Sequence, residues 1–150
     1  NGFRADYTKW AEGYRISVKG NQVSWYKSKE KDYSYKTFRA YLDVVFAYAG
    51  TLSLAKELTS VPVTSMQIGD VLIQGGSPGH AVIVVDMAEH PVTGEKLYLL
   101  AQSYMPAQDI QVLVNPKERD KSPWYTLKGE GNILTPEWGF TSADLKRFKD

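Results

Sequence analysis

The sequence contains no cysteine, which excludes a disulfide framework, a zinc–thiolate cluster and a thiol nucleophile within its 150 residues. It also has little net charge, since 18 basic and 17 acidic side chains leave a formal charge of +1. Because the positive and negative charges nearly cancel, the chain has no strong positive potential to attract a polyanion, and nucleic acid is not an expected partner. The longest apolar runs, such as residues 81–85, fall far short of the roughly 20 residues that span a bilayer, so no transmembrane segment is expected.

The length and composition of the chain favour one domain over two. With 43% hydrophobic and 13% aromatic residues, 150 residues can bury one sizeable core. The chain opens at Asn1 without a methionine or an apolar leader. We therefore expect residues 1–150 to form a single domain that is the C-terminal part of a longer chain.

The first third of the sequence predicts a hairpin and two helices. Apolar residues alternate on both sides of Gly20-Asn21, the pattern of two strands joined by a two-residue turn. Ser34 offers an N-cap hydroxyl, and apolar residues then recur at helical spacing until Gly50. Thr51 is placed to cap a second, short helix.

From residue 71 onward, short apolar runs rich in β-branched residues predict strands at residues 71–73, 81–85, 97–101 and 110–114. The connections are short, so antiparallel hairpins fit them better than helical crossovers. Thr141 and Asp144 resemble a capping box and predict a last helix. The predicted class is α+β, with the N-terminal hairpin and helices packed on an antiparallel sheet.

His80 is the strongest candidate in the sequence for a catalytic residue. It follows a loop containing Gly75, Gly76 and Gly79, which lets backbone approach closely. A histidine at such a strand edge can present one ring nitrogen to a cleft as a general base, or it can simply bond backbone in the turn. Ser77 is a poor nucleophile candidate because it lacks the Gly-x-Ser-x-Gly elbow.

Gln102 opens a polar stretch, residues 102–108, directly after an apolar run. A buried amide needs partners, because an unpaired one costs roughly 1–3 kcal/mol. If the preceding hairpin turns near Pro91, His80 lies opposite Gln102, and Asp86 lies opposite Lys96. We then expect the Gln102 amide oxygen to accept from the His80 imidazole and fix its tautomer. The alternative is that Gln102 ties down loop backbone.

No metal or other cofactor is expected. His90 stands beside Pro91 in a predicted turn, where exposure is the simpler interpretation, and no HxxxH or histidine–carboxylate spacing indicates a ligand set.

Several long motifs with rare residues resemble the bacterial family catalogued as domain of unknown function 4846; they cover residues 38–42, 48–54, 69–71, 75–81, 102–108, 122–125 and 135–138. More distantly, a Gly-Asp strand, a Gly-His strand and a polar residue on a third strand resemble the papain-like cell-wall hydrolases and amidases. That resemblance implies a papain-like fold, with His80 as base and Gln102 as its orienter. It further implies substrate contacts from Gly76, Ser77, Gly79, Ser103, Tyr104 and Gln108.

The sequence departs from the papain-like pattern at the nucleophile, because the helix expected to carry a cysteine offers Ser34, Thr37 and Phe38 instead. Two hypotheses remain open. One is a cell-envelope amidase or peptidase that lacks its cysteine in this chain; the other is a non-catalytic module that binds an envelope peptide or glycan. The family resemblance favours an extracytoplasmic location, periplasmic or lipoprotein.

Overall fold

A computed structural model describes residues 2–149, which divide into two compact units, residues 2–50 and residues 51–149. Across residues 2–149 it shows three α-helices together with antiparallel sheets. None of the helices in this range is long and apolar enough to cross a membrane.

The first unit combines a β-hairpin with two helices. Its elements in chain order are α1 (Tyr7–Ala11), β1 (Tyr14–Lys19), β2 (Gln22–Lys27) and α2 (Tyr35–Tyr48). The two strands are antiparallel around the predicted turn, where Gly20 has a φ of +58°. The Ser34 hydroxyl accepts from the Thr37 amide at 3.3 Å, which confirms the predicted N-cap. The Trp10 indole donates to the Thr37 carbonyl at 3.1 Å and ties α1 to α2.

The second unit is built on one antiparallel sheet. Its elements are α3 (Thr51–Glu57), β3 (Thr59–Ser60), a 3₁₀ turn (Val63–Ser65), β4 (Val71–Gln74), β5 (His80–Glu89), β6 (Lys96–Gln102), β7 (Gln111–Val112), β8 (Tyr125–Thr126), β9 (Asn132–Leu134), β10 (Gly139–Thr141), a second 3₁₀ turn (Ser142–Asp144) and β11 (Leu145–Arg147). The strand order is β3-β11-β4-β5-β6-β7, and β8 pairs with another part of β6. β9 and β10 form a separate hairpin. The predicted strands therefore exist, although the fourth is shortened to β7.

Both faces of this sheet are buried, and the side chains divide between them with the two-residue period of a strand. One face holds the larger core, which includes Leu72, Val82, Val84, Leu100, Phe140 and Leu145. The other face holds Val71 and Ile73, against which Leu58 and the α3 residues Leu54 and Ala55 pack. Because alternate residues serve different cores, the register of β4 and β5 is strongly specified.

The prediction of a helix after Thr141 is wrong. The capping box between Thr141 and Asp144 does form, but it closes only a single 3₁₀ turn. Leu145 is then fully buried and pairs with Leu72 as the first residue of β11. A local cap stabilises only the first turn of a helix, and burial in the sheet decides the conformation of the next residues.

A buried ion pair holds β11 against β4. Arg147 donates to both carboxylate oxygens of Asp70, from Nε at 2.6 Å and from Nη2 at 2.8 Å. The Asp70 side chain is fully buried, and it also accepts from the Gln67 amide at 2.9 Å. This bidentate geometry gives a buried carboxylate the partners that it requires.

We predict that Asp70→Asn lowers the free energy of unfolding by about 2–3 kcal/mol, because Arg147 would then face a neutral amide. Urea denaturation measures the change. The control is Glu89→Gln, which removes the exposed ion pair with Lys96 and should cost less than about 1 kcal/mol. Equal losses in the two variants would contradict the assignment.

Two stacked tyrosines lie in the larger core. The rings of Tyr98 and Tyr125 are 5.5 Å apart at an angle of 27°, and the Tyr125 hydroxyl donates to the Val114 carbonyl at 2.7 Å. Burial raises the pKa of both phenols above the ordinary value near 10.

We therefore predict that stability falls as the pH rises above about 10, because the unfolded chain releases these protons there and the folded chain retains them. Each phenol contributes a slope of up to about 1.4 kcal/mol per pH unit. Tyr98→Phe should make the decline shallower, as measured by denaturation between about pH 8 and 11. The same slope in both proteins would show that Tyr98 does not contribute.

Candidate functional site

Three neighbouring strands each end in a polar side chain at one edge of the larger core. Gln74 is two residues beyond Leu72 on β4, His80 is two residues before Val82 on β5, and Gln102 is two residues beyond Leu100 on β6. The two-residue period places all three on the core face. Gln74 pairs directly with His80 in the ladder between β4 and β5.

The predicted register of the β5–β6 hairpin is wrong. The ladder pairs Glu89 with Lys96 and Val84 with Leu100, and a bulge lies between Val84 and Asp86. Lys96 accordingly pairs with Glu89 at 3.6 Å instead of with Asp86. The turn spans residues 90–95, so it is centred beyond Pro91.

The contact between His80 and Gln102 nevertheless forms. Near the site the register is displaced by two residues, an even number, so each side chain keeps its predicted face. Gln102 then lies diagonally across from His80, within reach of a long side chain. His80 Nε2 lies 2.6 Å from Gln102 Oε1, which confirms the predicted hydrogen bond.

The orientation of the Gln102 amide decides which nitrogen of the imidazole carries the proton. With the Gln102 oxygen facing the ring, Nε2 must carry the proton because a carbonyl oxygen only accepts, and neutral His80 then has its lone pair on Nδ1. His80 is 9% exposed. Within residues 2–149 this ring forms its hydrogen bond through Nε2, so Nδ1 is left to accept from another group. In this form the ring has one unprotonated nitrogen that makes no hydrogen bond within residues 2–149.

Gln102 continues the polar chain to an acid. Its amide nitrogen donates to Glu137 Oε2 at 2.8 Å, and Gln102 itself is only 2% exposed. Gln74 has a similar arrangement, because its amide nitrogen donates to Asp144 Oδ2 at 2.8 Å. The buried Gln102 amide and the partly exposed Gln74 amide are thus each paired with a carboxylate.

Aromatic rings enclose the imidazole. Ring centroids of Tyr104, Trp138 and Phe140 lie 5.2, 5.5 and 6.1 Å from that of His80. Trp138 is fixed in place because its indole donates to Gln74 Oε1 at 2.9 Å. His80 therefore sits in a largely apolar setting with one defined polar contact.

The glycine loop before His80 packs tightly against α3. A Cβ on Gly79 would collide with the Thr51 hydroxyl and with the backbone of Gly76, and one on Gly75 would lie 3.0 Å from the backbone of Thr51 and Leu52. The predicted close approach of backbone is therefore present. The helix start that adjoins this loop belongs to α3, which carries hydroxyl side chains at Thr51 and Ser53.

The remaining predicted site residues differ in placement. Tyr104 contacts His80 through its ring, whereas Gln108 is exposed and its side-chain oxygen accepts from the Gln111 amide at 3.2 Å. Ser77 and Ser103 are exposed and flank the site in sequence. His90 is exposed, as predicted, and its Nδ1 accepts from the amides of residues 92 and 93. Within residues 2–149 no group of three or more acidic and histidine side chains is placed to hold a metal ion.

Sequence reasoning did not identify Glu137, Gln74, Trp138 or Phe140 as parts of the site. They come from β4 and from the segment at 137–140, which are more than 60 residues apart. Glu137 and Trp138 belong to one of the family-like motifs, which was the only signal pointing to them.

Comparison with known proteins identifies a family whose description names no activity. The profile of the family described as domain of unknown function 4846 matches residues 1–147, so the chain belongs to that family. Searches of curated proteins and of solved structures found no match.

We predict that Gly79→Ala destabilises the second unit by about 1–3 kcal/mol, because the new methyl group has no room beside Thr51 and Gly76. Gly129→Ala is the control, since nothing lies within 4 Å of its Cβ position, and it should change stability by less than about 0.5 kcal/mol. Thermal denaturation of both variants checks the prediction. A Gly79→Ala protein as stable as the control would show that the loop can relax.

Proposed function

We propose that the second unit is a papain-like domain of a bacterial cell-envelope amidase or peptidase, in which His80 is the general base. The observation that carries this proposal is the hydrogen bond from His80 Nε2 to Gln102 Oε1, which leaves Nδ1 to accept a proton. A base, an orienting polar side chain and a nearby helix start are the parts that papain-like catalysis uses.

The reaction would proceed as amide hydrolysis through a thioester. His80 Nδ1 takes the proton from a thiol, and the thiolate sulfur attacks the amide carbonyl. The carbon–nitrogen bond breaks, and the amine leaves with that proton. Water then hydrolyses the thioester and regenerates the thiol. The thiol is not among these 150 residues, so the scheme requires a thiol from outside this sequence.

The residues around His80 suggest how a substrate would lie. Tyr104 and Trp138 offer half-buried ring faces beside the imidazole, suited to apolar parts of a peptide or to a sugar ring. We assign substrate contacts to Gly76, Ser77 and Gly79 before His80, and to Ser103, Tyr104 and Gln108 after Gln102.

A non-catalytic binding module is the second candidate. The absence of cysteine favours it directly, because the papain-like scheme has no nucleophile in this chain. The same aromatic rings would then bind an envelope peptide or glycan without cleaving it.

The test is hydrolysis of muropeptides by the native protein, followed by mass spectrometry. We expect His80→Ala to reduce cleavage by roughly 10²- to 10⁴-fold, the usual contribution of a general base. His90→Ala is the matched control and should leave cleavage unchanged, because His90 lies in an exposed turn.

A thiol-directed covalent probe on the native protein distinguishes the two candidates. Labelling together with His80-dependent cleavage supports the hydrolase. Muropeptide binding without labelling or cleavage would refute the hydrolase and support the binding module.

A further inference from the structure

The Gln102 amide by itself does not determine which tautomer His80 adopts. An amide side chain has nearly the same shape after a half-turn that exchanges its oxygen and nitrogen. With the oxygen facing His80, the ring nitrogen must donate; with the nitrogen facing it, the ring nitrogen must accept. The two orientations would place the lone pair of His80 on opposite nitrogens.

Glu137 removes this ambiguity. A carboxylate only accepts hydrogen bonds, and its Oε2 lies 2.8 Å from the Gln102 amide nitrogen. Turning the amide over would set two oxygens against each other at that distance, in a side chain that is 2% exposed. Gln102 is therefore held with its nitrogen towards Glu137 and its oxygen towards His80.

The turn that carries Glu137 is itself fixed. The Thr135 amide donates to the Trp138 carbonyl at 2.8 Å, and the Trp138 amide donates to the Thr135 hydroxyl at 3.2 Å. The Trp138 indole is anchored on Gln74. The carboxylate is thus presented from a closed turn, although its own side chain lies at the surface.

We propose that Glu137 is a positioning residue, which fixes His80 in the form protonated on Nε2 by locking the orientation of the Gln102 amide. Its effect on catalysis rests on the proposed function, whereas its effect on the tautomer does not.

The test is Glu137→Gln, which keeps the shape of the side chain and adds a donor. Gln102 can then face either way, so we expect the population of His80 protonated on Nδ1 to rise from a minor form to one comparable with the Nε2 form. Long-range proton–nitrogen NMR spectra of the imidazole nitrogens measure this ratio. His90 is the internal reference, because two backbone amides hold its Nδ1 as an acceptor.

Glu130→Gln is the control, an exposed carboxylate of the same unit that should leave the His80 signals unchanged. Unaltered His80 signals in Glu137→Gln, or wild-type His80 already protonated on Nδ1, would overturn the proposal. If the native protein cleaves muropeptides, Glu137→Gln should also lower kcat roughly 10- to 100-fold with little change in KM. A tautomer shift in a protein without cleavage would support the positioning role and refute only the hydrolase.

Discussion

The second unit depends on the pairing of β5 with both of its neighbours. β5 supplies Val82 and Val84 to the larger core and Ala81 and Ile83 to the face beneath α3, so neither face can tolerate exchange of its side chains. A slip of one residue would exchange them and bury the wrong set. The same constraint turns His80 towards the larger core and brings it beside Gln74.

Two acid–amide pairs complete the edge of that core. Gln74 and Gln102 end apolar rows on β4 and β6, and leaving the buried Gln102 amide unpaired would cost roughly 1–3 kcal/mol. Their partners, Asp144 and Glu137, come from the segments that flank β10. The amides at this edge therefore find their hydrogen-bond acceptors only after this later part of the chain has folded over them. Formation of the polar site is in this way linked to completion of the sheet.

The site combines defined geometry with a proposed reaction that lacks its nucleophile in this sequence. His80 has one hydrogen-bond partner within residues 2–149 and three aromatic neighbours, an arrangement that fits the proposed general base. The sequence contains no thiol to which that base would be matched. Membership of the family of domain of unknown function 4846 adds relatives, but its description names no substrate.

Local signals in the sequence determined the hairpin at Gly20-Asn21, the start of α2 at Ser34 and most of the central strands, because turns, caps and periodicity act over a few residues. The contact of His80 with Gln102 was predicted for the same reason, since only the two-residue period had to be right. The strand that replaced the last helix was decided by the burial of Leu145 in the sheet, whereas the bulge after Val84 has no local signal in the sequence. The roles of Gln74, Glu137 and Asp144 were decided by tertiary structure alone, because their partners lie 35 or more residues away and no local pattern specifies which acid meets which amide.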